Sequence, residues 1–150
     1  MTEISRRLDD YQVVIDLTLA WSELDQLGHA NNARYFTWFE EARMAHFRVV
    51  EIPTDGGGGW GPILASTRCD FLAPVAWPAQ LRVGSRVTRT GRSSFTMEYA
   101  AFIVRTDDNT GVESTQCVAV GQGVIVLVRY GEEAGEKVYI DDALRARLEA

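Results

Sequence analysis

Residues 21–43 read WSELDQLGHANNARYFTWFEEAR, and this stretch decides how the rest of the chain is interpreted. An acid, a glycine, a histidine and two asparagines are crowded between a strand-like segment and a long apolar helical pattern: Asp25, Gly28, His29, Asn31 and Asn32. Asparagine is a preferred residue at a helix N-terminus, where the first backbone amides are unpaired. The spacing therefore predicts a helix that begins near Asn32 with polar groups gathered at its N-terminus.

The predicted helix covers residues 32–50, where apolar residues recur at helical spacing with charged residues between them. A helix of this range is about 28 Å long. Its two adjacent rings, Trp38 and Phe39, make the apolar arc broader than a helix lying on a flat surface needs. We therefore expect the rest of the chain to wrap around this helix.

Five segments have the composition of β-strands: residues 11–21, 63–74, 80–90, 93–106 and 112–129. The turn sequence TDDNTG at 106–111 predicts that the last two strands pair antiparallel. A short final helix is predicted to start at Asp141 or Asp142. This order of elements predicts an α+β protein with one antiparallel sheet and one dominant helix, in a single domain over residues 1–150.

A glycine-rich stretch, DGGGGWGP at residues 55–62, interrupts the pattern between the long helix and the second strand. Consecutive glycines give the backbone great freedom, and proline blocks helix formation. We predict a flexible turn or lid here. The stretch lacks the Lys-Ser/Thr pair that a phosphate-binding P-loop requires.

Composition excludes several classes of function. With 46% hydrophobic and 24% charged residues, the 150-residue chain has the make-up of a soluble globular domain. Its net charge of −6 gives no basic surface, so nucleic acid is not an expected partner. Cys69 and Cys117 form no metal-binding motif, and neither a metal nor another cofactor is expected. No apolar run is long enough for a membrane span or a signal peptide, which predicts a cytoplasmic protein.

The stretch at residues 21–43 resembles the acyl-CoA thioesterases of the hotdog fold, in particular the 4-hydroxybenzoyl-CoA thioesterase-like superfamily. The family pattern is an acid, then Gly-His-x-Asn-Asn, an aromatic residue and Ala-Arg; GRSSFTMEY at 91–99 is also similar to its penultimate strand. The resemblance spans residues 11–130 and implies a five-stranded antiparallel sheet wrapped around one long central helix. It also implies hydrolysis of acyl-CoA by a homodimer or homotetramer. Ala30 departs from the pattern, where a branched residue is more usual, and the glycine-rich stretch is not part of it.

The catalytic hypothesis centres on Asp25. A thioester hydrolase needs a group that attacks the carbonyl or activates water, and donors that stabilise the oxyanion. Asp25 would be the nucleophile or general base, amides near Asn31 and Asn32 would polarise the carbonyl, and Gly28 would let the backbone approach the thioester. The resemblance implies a positioning role for His29. The alternatives are that Asp25 is only a turn or cap residue and that one asparagine is only the N-cap.

Further residues are predicted to bind the substrate. Tyr35 belongs to the core, to the wall of the acyl pocket, or to both. The resemblance implies that a partner subunit contributes its second strand, around Thr67 to Phe71. Arg89, Arg92 and Ser93 are predicted to meet the phosphates of coenzyme A, since arginine suits phosphate. The alternative is that these arginines only protect a strand edge against aggregation.

Two further questions stay open at this point. Glu23 lies close to Asp25, so the two acids could share a proton, or Glu23 could simply face solvent. The same fold also hosts hydratases and dehydratases of acyl thioesters, but residues 25–29 lack their Asp-x-Asn-Pro-x-His string. A noncatalytic acyl-CoA binding or sensing module is the third hypothesis, because fold does not dictate function.

Overall fold

The computed structural model describes residues 3–131 and 134–150. Within these residues five strands and two α-helices follow one another: β1 Val13–Thr18, α1 Asn32–Val49, β2 Trp60–Phe71, β3 Gln80–Thr90, β4 Ser94–Thr106, β5 Glu113–Arg129 and α2 Asp142–Leu148. The strands form one antiparallel sheet in the order β1-β3-β4-β5-β2. The predicted α+β hotdog fold, with a single long helix and a five-stranded antiparallel sheet, is confirmed.

Helix α1 packs on one face of the sheet, called here the inner face. Phe39 is fully buried, and its ring stacks on that of Tyr99 in β4 with the centroids 5.1 Å apart. Further along, Phe47 meets Phe95 edge-on at 6.2 Å. Gly121 lies beneath Phe39, and a Cβ there would overlap the phenyl ring. The helix thus lies so close to β5 that only glycine fits at this position.

The middle of the outer face of the sheet is covered by residues 3–11, which we call the N-terminal cover. Tyr11 contacts Phe102 edge-on, with ring centroids 6.3 Å apart. The Tyr11 ring also lies 5.4 Å from the Arg86 guanidinium carbon. Arg86 donates two hydrogen bonds to one carboxylate oxygen of Glu98, at 3.0 and 2.7 Å. Because Glu98 is buried, the cover lies over an ion pair as well as an apolar cluster.

Three predicted strand boundaries are wrong, and one of them is the end of β2, which lies at Phe71 rather than residue 74. β2 begins at Trp60, so Gly61 and Pro62 belong to a strand and the turn region of the glycine-rich stretch is shorter than predicted. Proline is tolerated there because β2 is an edge strand of the sheet. The first strand ends at Thr18 rather than residue 21, since Trp21–Glu23 forms a turn of 3-10 helix.

Candidate active site

The loop that precedes α1, residues 24–30, is a small hairpin. Leu24 and Ala30 form a β-bridge, and the Asp25 amide donates to the His29 carbonyl at 2.9 Å. The turn closes where the Gly28 amide donates to the Asp25 carbonyl at 3.1 Å. Gly28 has a φ of +80°, in the region that glycine adopts most readily, and a Cβ there would meet no atom within 4 Å. Gly28 therefore serves the turn, and the close approach to a thioester that we predicted for it stays a prediction.

Backbone hydrogen bonds fasten this hairpin on both sides. The Asn31 amide donates to the Glu23 carbonyl at 2.8 Å, which joins the end of the hairpin to its start. The Ala30 amide donates to the Val75 carbonyl at 2.8 Å, and His29 bridges to Ala76. The segment between β2 and β3 is therefore part of the support of the site. Sequence reasoning missed it, because no local pattern links residues so far apart.

The Glu23 side chain has a structural role that neither sequence alternative anticipated. One carboxylate oxygen accepts from the Ala20 amide at 2.8 Å, and the other accepts from the indole N–H of Trp38 at 3.1 Å. Both oxygens are thus engaged by donors other than Asp25. Glu23 therefore does not simply face solvent; it ties the start of the hairpin to the second turn of α1.

Asp25 combines a turn role with an available carboxylate oxygen. Its Oδ1 accepts a hydrogen bond from the Leu27 amide at 2.8 Å, the arrangement of an Asx turn. Its Oδ2 has no hydrogen-bond partner among the described residues, and the side chain is only partly buried. The turn hydrogen bond fixes the orientation of the carboxylate. The second oxygen, Oδ2, is therefore held in one orientation and can interact with a water molecule or a substrate.

The helix N-terminus leaves one amide available. Asn31 is the N-cap, and its side-chain oxygen accepts from the Ala33 amide at 3.0 Å. The Arg34 amide donates to the Asn31 carbonyl, and the Asn31 amide is held by Glu23. The Asn32 amide alone in this first turn has no partner among residues 3–131 and 134–150. Of the two backbone amides predicted as donors, only one is therefore available. Asn31 caps the helix, whereas the Asn32 amide can stabilise an anion.

A cavity of about 340 Å³ brings these groups together at the N-terminus of α1. Its lining includes the carboxylate residue, the histidine and the residue with the free amide: Asp25, Leu27, His29, Ala30, Asn32, Tyr35, Phe71, Leu72, Ala73 and Pro74. The apolar members come from two separate segments, α1 with its preceding hairpin and the end of β2. An acyl group and a thioester carbonyl can thus lie in one partly open cavity.

Tyr35 is both a core residue and a cavity wall, as one of the sequence alternatives proposed. Only 2% of it is exposed, and its ring lies 4.4 Å from that of Trp38 and 4.9 Å from that of Phe71. Burial is the main cause that raises the pKa of its hydroxyl, with Cys69 adding to the effect. The phenol is therefore neutral near neutral pH and cannot act as a base.

Other predicted site residues lie outside this cavity. Gly28 and Asn31 support the hairpin and the helix start without lining the space. Four predicted substrate-binding residues also do not line the cavity: Thr67, Arg89, Arg92 and Ser93. The Arg92 guanidinium instead lies 5.4 Å from the Tyr139 ring. Phe71, which we expected from a partner, lines the cavity of its own chain.

The second histidine, His46, is structural. It is buried in α1, and its Nδ1 lies 2.9 Å from the Ser85 hydroxyl oxygen. Burial lowers the pKa of His46 to about 4, and the Ser85 hydrogen bond opposes this shift. The imidazole is therefore neutral at neutral pH. In the described part of the chain no cluster of His, Cys, Asp or Glu could hold a metal ion. No helix there is long and apolar enough to cross a membrane.

A long helix against a five-stranded antiparallel sheet is the architecture of the hotdog-fold thioesterases. The chain belongs to the thioesterase-like superfamily, whose family pattern matches residues 19–148. The resemblance inferred from the hairpin and helix sequence is thereby confirmed.

Several individual proteins are similar to this chain. The chain is 28% identical over 132 residues to the uncharacterized protein YsmA of Bacillus subtilis strain 168, covering 88% of this chain and 82% of YsmA. The crystal structure of the PA5185 protein from Pseudomonas aeruginosa PAO1 matches with a TM-score of 0.78, 29% identity and coverage of 95% and 92%. A thioesterase from Thermus thermophilus, crystallised with coenzyme A and zinc, matches with a TM-score of 0.72, 27% identity and coverage of 93% and 99%.

Proposed function

We propose that this protein hydrolyses an acyl-CoA thioester to the free acid and coenzyme A. The observation that carries the proposal is the cavity at the start of α1, which is lined by both Asp25 and Asn32. A carboxylate and an unpaired helix N-terminal amide are the two groups that thioester hydrolysis needs: one to attack or to activate water, the other to stabilise the oxyanion. The coenzyme A bound by the Thermus thioesterase makes an acyl-CoA the natural substrate to test.

The Asp25 carboxylate can act in two ways. As a nucleophile, Oδ2 attacks the carbonyl carbon, the oxyanion forms opposite the Asn32 amide, and the C–S bond breaks to leave a mixed anhydride and the thiolate of coenzyme A. Water then hydrolyses the anhydride. As a general base, Asp25 takes a proton from water while that water attacks the carbonyl, and the collapse of the same oxyanion expels the thiolate. His29 lines the cavity mouth and is placed to orient the substrate or the water.

The first experiment measures thiol release from a panel of short, long and aromatic acyl-CoAs. Asp25→Asn keeps an oxygen for the Leu27 amide but removes the charge, so folding should survive while turnover falls at least 100-fold. Asp9→Asn is the matched control, since Asp9 is exposed in a 3-10 turn far along the chain from the site. Equal turnover by Asp25→Asn and wild type would refute the proposal. Tight binding of acyl-CoA without turnover by wild type would favour a binding or sensing module.

An isotope experiment separates the two roles of Asp25. A single turnover in water labelled with oxygen-18 places label in the Asp25 carboxylate if an anhydride forms and water attacks its aspartyl carbonyl. Mass spectrometry of the peptide that contains Asp25 detects this label. Label only in the released acid, with none in the protein after repeated turnovers, excludes attack of water on the aspartyl carbonyl of an anhydride and is the result expected for direct attack of water on the thioester.

The edge of β2 supports a second part of the proposal, a homodimer. β2 pairs with β5 on one side and with no described strand on the other. Six consecutive residues of β2, 63–68, are exposed, and these include Ile63 at 46% and Leu64 at 39%. Native proteins rarely leave a long apolar strand edge uncovered. Antiparallel pairing of β2 with its copy in a second subunit would complete the edge.

Such pairing would also give the predicted coenzyme A residues a place at the site. Arg89, Arg92 and Ser93 lie near the β3–β4 turn, at the end of the sheet where β2 begins. Asp25 lies at the other end, beside the last residue of β2. Antiparallel pairing brings the start of one β2 next to the end of the other. The arginines of one subunit would then approach the cavity of its partner, where they could meet phosphates.

Two measurements test this assembly. Sedimentation equilibrium should give a dimer for wild type and a smaller species for Ala65→Glu, which places like charges opposite each other in the middle of the paired edge. The Arg89→Gln, Arg92→Gln double variant should raise KM for acyl-CoA while leaving kcat and the KM for an acyl-pantetheine thioester unchanged. An active monomer, or equal KM changes for both substrates, would contradict this part of the proposal.

A further inference from the structure

A second cavity lies at the end of the sheet where β3 begins and β4 ends. Its volume is about 470 Å³, within the range of about 300–1,000 Å³ that is usual for ligand pockets. Its apolar lining includes Pro78 from the segment between β2 and β3, and Ile103 and Val104 from the end of β4. An indole, an amide and a guanidinium belong to residues that line the same cavity: Trp77, Gln80 and Arg105. A mostly apolar wall with a few polar groups is typical of a site for a small molecule.

Trp77 offers an aromatic face to a ligand. It is 50% exposed, although tryptophan is among the side chains that gain most from burial. Among the described residues, no aromatic ring and no guanidinium stacks on its indole. A nucleobase is a planar group that stacks on such a face.

Arg105 supplies a guanidinium that forms no salt bridge with the described residues. Its Nη1 donates to the side-chain oxygen of Gln116 at 2.8 Å, while Nε and Nη2 have no hydrogen-bond partner in the same part of the chain. The acid closest in sequence, Asp107, instead accepts from the amide and the hydroxyl of Thr110. The guanidinium N–H groups of Arg105 are therefore available to a phosphate, which arginine binds well.

Gln80 adds a donor between these two groups in chemical character. The Thr18 hydroxyl donates to the Gln80 side-chain oxygen at 2.9 Å, which leaves the NH₂ group of the amide without a partner among residues 3–131 and 134–150. An amide N–H donates to a ring nitrogen or carbonyl of a base and to the oxygens of a sugar. The residues around the cavity thus match a base, a sugar and a phosphate.

From these three groups we infer that the second cavity binds a mononucleotide. The base stacks on Trp77, the phosphate meets Arg105, and Gln80 donates to the base or the sugar. A nucleic acid strand is not the expected occupant, because its backbone requires several basic residues and the chain has a net charge of −6. The inference goes beyond the proposed function and does not depend on it.

The nucleotide site is separate from the cavity at the start of α1. The linings of the two cavities overlap at Pro74 alone. Beside that residue, the Ala30 amide donates to the Val75 carbonyl and His29 bridges to Ala76, so the backbone is continuous between the hairpin and the segment that lines the second cavity. A ligand in one cavity therefore leaves the other open, and a nucleotide and a coenzyme A thioester should bind at the same time.

Titration calorimetry with ADP and adenosine tests the site, because the two probes share the base and differ in the phosphates. Wild type should bind ADP more tightly than adenosine. Trp77→Leu should weaken the binding of both probes about fivefold or more, the lower end of what base stacking contributes, whereas Trp77→Tyr keeps an aromatic face and most of the affinity. Arg105→Gln should weaken ADP about fivefold or more and leave adenosine unchanged.

Two substitutions outside the cavity are the matched controls. Trp21→Leu removes another exposed indole, and Arg7→Gln removes another exposed guanidinium. Both variants should bind ADP as wild type does. The absence of ADP binding by wild type, or wild-type affinity in Trp77→Leu, would overturn the inference. So would an equal loss of adenosine and ADP binding in Arg105→Gln.

A competition experiment examines whether the site belongs to coenzyme A. S-hexyl-CoA is a thioether that cannot be hydrolysed, so the ADP titration can be repeated in its presence without turnover. An unchanged Kd for ADP is the expected result. Displacement of ADP by S-hexyl-CoA would assign the second cavity to the nucleotide end of coenzyme A and overturn the inference of a separate site. Neither result depends on whether the protein releases thiol from an acyl-CoA.

Discussion

Mild acid should destabilise this protein through His46, which is 2% exposed in the middle of the core. Its pKa is about 4 in the folded protein, against 6.5 for the free side chain, because burial disfavours the charged ring. Between these two values the unfolded chain binds a proton that the folded chain does not. The free energy of unfolding therefore falls as the pH is lowered through this window. The full difference between the two pKa values corresponds to about 3 kcal/mol in the free energy of unfolding. About 2 to 3 kcal/mol of this is lost between pH 7.5 and pH 4.5.

Urea unfolding at several pH values between 4.5 and 7.5 measures this effect. His46→Leu removes the titrating group, and the Ser85 hydroxyl can still donate to the Ala42 carbonyl, 3.4 Å away. The variant should lose about 2 to 3 kcal/mol less stability on acidification than wild type does. His29→Gln, a change at the other, exposed histidine, is the matched control. Parallel curves for wild type and His46→Leu would show that other groups cause the acid sensitivity.

Three other substitutions test the packing and the support of the site. Gly121→Ala should lower the stability by about 2 kcal/mol, or the Tm by about 4–8 °C, since the new methyl overlaps Phe39; a change below 1 °C in calorimetry would contradict this close approach. Arg86→Met should lower the free energy of unfolding, measured with denaturant, by about 3 kcal/mol, because it leaves the Glu98 carboxylate buried and unpaired. Adding Glu98→Leu should restore most of this stability. In Glu23→Gln the side chain has one oxygen for two N–H donors, so the free energy of unfolding should fall by about 1 kcal/mol. The variant should also lower kcat more than it changes KM. Unchanged kcat would show that the hairpin does not need the Glu23 carboxylate as an anchor.

The fold could be predicted because its main features are local patterns. The start of α1 at Asn32 follows from the N-cap preference of asparagine, and alternation in β4 marks which residues face the helix. The start of β2 was missed because glycine and proline favour turns. Their presence in a strand depends on β2 being at the edge of the sheet, which a single sequence does not reveal.

The candidate site could be predicted in part for the same reason. Asp25 and Asn32 belong to one short motif, so their neighbourhood follows from spacing. The roles of Val75 and Glu23 depend on hydrogen bonds between distant or unexpected atoms, and residue identity alone does not specify them. The fact that the backbone amide of Asn31 cannot donate to a substrate is likewise a property of the folded backbone, because the hairpin uses this amide.

The N-terminal cover has a consequence for how subunits can assemble. Hotdog sheets have two faces, and here one carries α1 while the other is occupied by residues 3–11 of the same chain. A second sheet could stack on that outer face only by displacing Tyr11 and exposing the Arg86–Glu98 pair to a new environment. Assembly beyond a dimer would therefore have to use the exposed side of the helix or the sheet edges. Removing the first eleven residues should expose the apolar residues of the outer face and promote association of the protein through this face.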